Sequence, residues 1–202
     1  MSTAPVRLAD RAARREELLD AADRIVRRDG PAASMAAIAA EAGISKPILY
    51  RHFGDKSGLY AALAERYTAL LLGELQAALE AGRTRRDRVE RTVGAYLSVI
   101  EDQPQVYRFL VHSDEAAAAQ SQVRSFTRRL SALLADGIAH ELSVPPHRAA
   151  AWAHGIVGMV QSAGDWWLDT GSCSRDALVQ ELADLLFGAY GKPSIPPTDV
   201  EH

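Results

Sequence analysis

The sequence predicts an all-α protein of about nine helices, and three observations carry that reading. Apolar residues recur every three or four positions along almost the whole chain of 202 residues, the spacing of an amphipathic helix. No run alternates apolar and polar residues as a half-buried strand does, and no internal repeat is present. Alanine occurs 36 times and lysine supplies only 3 of the 23 basic residues, so strong helix formers dominate and β-sandwich or collagen-like folds are disfavoured.

Taken in order, the first helix runs from about Leu8 to Arg28, with Leu18, Ala21, Ala22 and Ile25 on one face, and ends at Gly30-Pro31. Ser34 is a good N-cap for a short second helix through Ile38 to Ala42, which Gly43 terminates. Ser45 opens the third, with Pro47 in the first turn where a missing N–H costs nothing, and it closes near Phe53. Asp55 can cap a long fourth helix that stops at Gly82, and Thr84 with Asp87 resembles a capping box for a fifth, to about Asp102. Pro104 starts a sixth that ends near His112. A seventh, from about Ala118 to Leu142, is broken by Pro145-Pro146. The eighth covers about His147 to Asp169, and Ser174 caps a ninth ending at Tyr190-Gly191. Residues 193–202, which begin at Pro193 and carry two further prolines without periodicity, are expected to be disordered.

Composition narrows the function classes. A lone cysteine, Cys173, excludes an intrachain disulfide. The polar, arginine-containing start lacks the apolar core of a signal peptide, and no window approaches a membrane span, so a soluble cytoplasmic protein is expected. The formal charge of −3 is unevenly spread. Residues 1–60 hold 10 basic and 8 acidic side chains, and residues 61–202 hold 13 and 18. A mildly basic end on an acidic body agrees with a nucleic-acid-binding head.

Residues 34–53 have the length and turn chemistry of a helix-turn-helix. Ile38, Ile44, Leu49 and Phe53 can close a small core with Leu18 and Ile25 of the first helix. On or near the other side stand Ser45, Lys46, Pro47, Tyr50, Arg51 and His52. Their hydroxyl, ammonium, guanidinium and imidazole groups are those that reach phosphates and base edges from a helix in the major groove. The neighbouring Arg14-Arg15 pair reads as ordinary solvated charge.

The stretch Ser34-Met-Ala-Ala-Ile-Ala-Ala-Glu-Ala-Gly-Ile-Ser-Lys-Pro-Ile-Leu-Tyr-Arg-His-Phe-Gly-Asp-Lys-Ser-Gly-Leu59 resembles the DNA-binding signature of the TetR family of transcriptional regulators. The likeness covers about residues 8–60 and is most specific from Leu49 to Lys56. It implies a homodimer with a DNA-binding head, residues 1–54, and a body for dimerisation and effector binding, residues 55–192. It also implies that Ser34 caps the second helix near a phosphate, that Ser45, Lys46 and Pro47 face bases or flanking phosphates, that Tyr50, Arg51 and His52 pack on the DNA backbone, and that Lys56 adds a phosphate contact. Met35 stands where a β-branched residue is common, and Pro47 donates no backbone hydrogen bond, so sequence reading falls to Lys46, Arg51 and DNA shape.

The body shows no catalytic constellation, and the protein is not expected to be an enzyme. No histidine pair has metal-ligand spacing, so no metal and no cofactor are expected; His112 with Asp114, or His147 with His154, are the weak candidates. Gly155, Gly158 and Gly164 lie inside a helix with no preceding strand and read as points of close helix approach. Tyr67, Tyr96, Tyr107, Phe109, Phe126, Trp152 and Met159 are the candidates to line an effector cavity, whose aromatic character favours an apolar or amphipathic ligand. Ile156, Val160, Ala163 and Trp167 of the eighth helix, with Leu178, Leu182 and Leu185 of the ninth, form stripes that resemble the family's four-helix dimer interface. The segment Gly-Asp-Trp-Trp-Leu-Asp-Thr-Gly, residues 164–171, resembles lipid-metabolism regulators within the family.

The expectation is therefore a repressor, bound to a palindromic double-stranded DNA operator as a homodimer and released by a small apolar or amphipathic effector, with the fourth helix as the lever between pocket and head. The competing readings are a helical protein-binding adaptor and a metal- or redox-responsive regulator. No membrane partner is expected.

Overall fold

A computed structural model of the chain describes residues 4–112 and 117–191, and among these residues there are nine α-helices and no strand. They are α1 (Ala4–Asp29), α2 (Met35–Glu41), α3 (Lys46–Phe53), α4 (Lys56–Ala81), α5 (Arg85–Asp102), α6 (Pro104–His112), α7 (Ala117–Leu142), α8 (Pro146–Thr170) and α9 (Arg175–Gly191), with a 3-10 turn at Gly30–Ala32 between α1 and α2. The tail expected to be disordered lies outside the described residues.

Local chemistry sets the helix ends. Ser34 Oγ accepts from the Ala37 amide at 3.2 Å, Asp55 Oδ1 from Gly58 at 2.7 Å, and Ser174 Oγ from Ala177 at 3.2 Å, each satisfying an orphan donor of a first turn. At α5, Thr84 Oγ1 accepts from the Asp87 amide at 3.1 Å, and the Asp87 carboxylate accepts from the Arg83 amide at 2.8 Å. This is a capping box whose return arm reaches one residue further back than the usual form. Gly43 sits at φ +64°, which turns the chain from α2 into α3 where a Cβ would be strained. Pro145 caps α8, and Pro146 is its first residue, one position earlier than the sequence predicts.

Two apolar cores result. The first gathers the expected Leu18 and Ile25 of α1, Ile38 of α2, and Leu49 and Phe53 of α3, with Ile44 packed against them, and adds Leu19 and Val26 of α1. It also takes in Leu59, Tyr60, Leu63 and Tyr67 of α4 and Val106 and Phe109 of α6. The packing therefore does not divide at residue 54: the first half of α4 and one side of α6 belong to the head's core. The second core joins Leu75, Val93, Tyr96, Leu97, Ile100, Phe126, Trp167, Leu178, Val179 and Leu182 from α4, α5, α7, α8 and α9.

Polar contacts tie head to body along α4. Arg66 pairs with Asp20 at 2.5 Å, and the Tyr67 hydroxyl donates to Asp23 at 2.6 Å. Asp23 also pairs with Arg27 of its own helix at 2.7 Å. Burial, and then the hydrogen bond to Asp23, raise the Tyr67 pKa well above its ordinary value, so that phenol remains a donor.

Of the three glycines expected to mark close helix approach, Gly164 does so: a Cβ there would lie 2.9 Å from Ile100 Cδ1 and 3.1 Å from the Tyr96 ring. Gly155 and Gly158 instead face open space and bring no described element close.

Candidate nucleic-acid interface and effector cavity

The short helix α3 divides its side chains cleanly. Leu49 and Phe53, four residues apart, are buried in the head core. Ser45, Lys46 and Pro47 at the start of the helix, and Tyr50 and Arg51 further along it, are exposed. Tyr50 is 38% exposed although it is large and aromatic, so it is a half-open ring at the surface and not a core residue. Ser45 caps α3 through its backbone carbonyl, while its hydroxyl makes no capping bond and is left for an outside partner. Ser34, in contrast, spends its hydroxyl on Ala37. Lys56, in the first turn of α4, is partly buried with its ammonium 5.4 Å from the centre of the Tyr60 ring, a cation–π contact that holds it beside the head.

Positive charge concentrates where α1 passes α3. Arg11 and Arg14 share a small surface hollow with Arg51 and His52. Desolvation, followed by the charges of Arg51, Arg11 and Arg14, holds the His52 imidazole below its ordinary pKa. Both causes disfavour the charged ring, and an anion placed beside it would act in the opposite direction. The sequence gives no notice of Arg11, because its place beside α3 follows from tertiary packing. Arg14 bonds Glu17 at 2.5 Å, and Arg15 lies 5.0 Å over the Phe53 ring, so the pair has intramolecular work as well.

The body encloses a cavity of about 1180 Å³ between α4, α5, α6, α7 and α8, reached also by Arg27 of α1. Tyr67, Tyr96, Tyr107 and Phe126 line it. The other three cavity candidates are placed elsewhere. Phe109 is fully buried in the head core, edge-on to Tyr60 with ring centres 4.8 Å apart. Trp152 lies on α8 away from the cavity, under the Arg148 guanidinium at 4.7 Å. Met159 packs on the outside of the body core. Each was indistinguishable by residue type from a lining aromatic or thioether, and which wall it joins is decided by tertiary packing.

One wall of the cavity is polar. The Tyr107 hydroxyl donates to Asp165 Oδ1 at 2.5 Å, and the Tyr96 hydroxyl donates to Tyr107 at 3.4 Å. Burial drives the Tyr96 pKa up to about 12, and burial, then the neighbouring Tyr96 and Asp165, raise that of Tyr107 further. Both phenols are protonated donors at neutral pH.

The stripes expected at a dimer interface face mainly inward. Trp167, Leu178 and Leu182 are buried in the body core, and Val160 and Ala163 pack against it. Ile156 is half-buried. Trp167 further donates its indole N–H to the Cys173 carbonyl at 2.8 Å, closing the α8–α9 loop on itself. Trp167, Leu178 and Leu182 are engaged in the chain's own packing, Ile156, Val160 and Ala163 are partly open, and Leu185 is 57% exposed. The open side of the pair is made by Gly155, Gly158, Ser162 and Trp166 of α8, with Trp166 half exposed, and by Leu185 of α9.

Among the described residues no group of three or more His, Cys, Asp or Glu could hold a metal, and no helix is long and apolar enough to cross a membrane. Asp114 lies outside the described residues.

Comparison with known proteins agrees with this architecture. Residues 18–63 match the family model described as bacterial regulatory proteins, tetR family, and residues 74–194 match that of the tetracyclin repressor-like C-terminal domain. The HTH-type transcriptional activator FasR of Mycolicibacterium smegmatis is 32% identical over 189 residues, 92% of this chain and 85% of that protein. A tetR-family transcriptional regulator from Streptomyces coelicolor superimposes with a TM-score of 0.71 at 24% identity, covering 89% of this chain and 83% of the other. The transcriptional regulator FadR of Bacillus subtilis, solved in complex with stearoyl-CoA, gives a TM-score of 0.63 at 14% identity over 85% of this chain and 96% of the other.

Proposed function

Since this chain belongs to the TetR family and is a DNA-binding transcriptional regulator, we propose that it binds a near-palindromic operator as a homodimer and lets go when an apolar or amphipathic effector fills the cavity between α4 and α8. The observation that carries the reading is the division of α3, with Leu49 and Phe53 locked in the core and Ser45, Lys46, Pro47, Tyr50 and Arg51 outside. A two-fold dimer presents two such helices to successive major grooves about 34–36 Å apart. Ser34, His52 and Lys56 flank them as phosphate contacts, with Arg11 and Arg14 added by the packing of α1.

The dimer would use the open side of α8 and α9, where Gly155 and Gly158 allow close approach of a second backbone and Trp166 and Leu185 supply apolar area. Acyl-chain compounds are the first effector candidates, because FadR, a protein of the same fold, binds stearoyl-CoA and the cavity wall is largely apolar and aromatic. Exposed Arg124 and Arg128 at its edge suit an anionic group left outside. Release follows from differential affinity: an effector that favours a conformer with wrongly spaced heads lowers operator affinity in proportion. Repression by occupying a promoter is the proposed mode. FasR is an activator, so the transcriptional readout must register both directions.

The test is selection of bound sequences from a random duplex pool, with Tyr50→Ala as control. Enrichment of a near-palindrome by the native protein alone supports the reading. Enrichment of nothing at moderate salt by effector-free protein overturns the near-palindromic operator reading.

A further inference from the structure

The polar wall of the cavity narrows what the effector is. This step rests on the cavity being the effector site, and concerns the chemistry of the effector's polar end. Asp165 is half-buried and lines the cavity. An ionised carboxylate offers about four acceptor positions. Among the described residues its hydrogen-bond donor is the Tyr107 hydroxyl, which occupies one of them. Around it the cavity lining is mixed, with the rings of Tyr96, Tyr107 and Phe126 and the aliphatic Ile100 and Val123 beside the polar Gln161 and Thr127, which bond each other at 3.3 Å.

Among the described residues, no ion pair joins the cavity's arginines to Asp165. Arg27 is paired with Asp23 at 2.7 Å, and Arg124 and Arg128 are exposed at the edge. Nor is Asp165 a loose surface group: Tyr107 bonds it on one side, and Tyr96 in turn bonds Tyr107, so the acceptor is held in place before any effector arrives. A fixed carboxylate beside aromatic faces is the combination that binds an ammonium, through a charge-assisted hydrogen bond and through the ring quadrupoles.

We propose that the effector is a cationic amphiphile, an apolar body bearing a protonated amine that docks on Asp165 between Tyr96 and Tyr107. Asp165 is then the specificity-determining residue of the cavity. A like-charged carboxylate end is rejected at the same place, and an acyl-chain effector enters this wall only if it carries an amine or keeps its anionic end at the arginine-bearing edge.

The test uses three probes with the same chain, dodecylamine, dodecanoate and dodecan-1-ol, each below its micellar range. Their binding to the full-length protein is followed by calorimetry for the native chain and for Asp165→Asn, with circular dichroism confirming that the variant is folded. Dodecylamine is expected to bind the native protein about tenfold or more tighter than dodecanoate, and Asp165→Asn to remove most of that preference while leaving dodecan-1-ol affinity within about threefold. Dodecanoate binding as tightly as dodecylamine to the native protein overturns the proposal and leaves the cavity's effector role intact. So does an amine preference that survives in Asp165→Asn. Failure of all three probes to bind overturns the effector role of the cavity and this proposal with it.

Discussion

The phenol of Tyr60 donates a 2.6 Å hydrogen bond to the carbonyl of Ala33, so a residue on the helix that enters the body fixes the segment that launches the helix-turn-helix. Burial raises the Tyr60 pKa and keeps the donor protonated. Tyr60→Phe preserves the edge-on contact with Phe109 but leaves a buried carbonyl unpaired, and is expected to cost about 1–3 kcal/mol of stability. Thermal unfolding measures this, and an unchanged midpoint would show that the bond contributes nothing.

Lys46 and Leu49 stand three residues apart on α3, the first exposed at its start and the second fully buried. Lys46→Ala is expected to leave the unfolding midpoint unchanged, weaken operator binding, and reduce the slope of log affinity against log salt by about 1 if the ammonium meets a phosphate. Leu49→Ala empties a fully buried site and is expected to cost about 2–5 kcal/mol of stability. Salt titrations of DNA binding beside denaturant unfolding of both variants separate the two outcomes.

His52 makes the head respond to pH in two opposite senses. Its pKa in the free protein lies below the ordinary 6.5. The neutral ring therefore favours the folded state above pH 6.5, and this contribution is lost as pH falls through the folded value. A phosphate placed beside the ring reverses the sign, raising the pKa in the complex so that DNA binding takes up a proton. Operator affinity is expected to rise as pH drops through that interval, and the His52→Gln variant to lack this part of the dependence. Fluorescence anisotropy from pH 5.5 to about 8 reads it out.

Gly164 is where α8 passes closest to α5. Gly164→Val would push its side chain against Ile100 and the Tyr96 ring, with an expected loss of about 1–3 kcal/mol. Displacing Tyr96 also disturbs the bond to Tyr107, so dodecylamine affinity should fall with stability. Calorimetry at a temperature where the variant is folded checks both.

Trp166 and Leu185 are outward on α8 and α9, while Trp167 and Leu178 are inward. The double substitution Trp166→Glu, Leu185→Glu is expected to give a folded monomer by light scattering, with operator binding lost. Leu178→Glu is expected to unfold the body, because it buries an unpaired carboxylate.

Where helices begin and end was legible from the chain because caps are local: Ser34, Asp55, Thr84 and Ser174 each act on an amide three residues ahead. The exposed and buried sides of α3 were legible for a related reason, since the four-residue spacing from Leu49 to Phe53 fixes one face. The sides of α8 were not. Apolar residues from Trp152 to Trp167 nearly encircle that helix, and periodicity does not say whether a stripe meets its own core or a second chain. Trp166 and Trp167 are adjacent, and one is half exposed while the other is buried. Phe109 escaped for the same reason: its aromatic character fitted the cavity as well as the head. Asp165 carried no signal at all, because a single acid on a helix reads as solvated surface until Tyr107 is brought to it from 58 residues away.

Helix α6 serves two cores at once, with Phe109 turned into the head, Tyr107 turned to the cavity, and Val106 and Leu110 shared between them. Engineers who build hybrid regulators exchange heads between relatives to wire a new operator to an existing effector. In this chain a splice at residue 54 would leave Tyr60 on Phe109 but exchange α1 and the 3-10 turn that pack on α6, so a working graft has to transplant matching residues on one side of α6, or the hybrid will have a sensor and a reader that no longer share a joint.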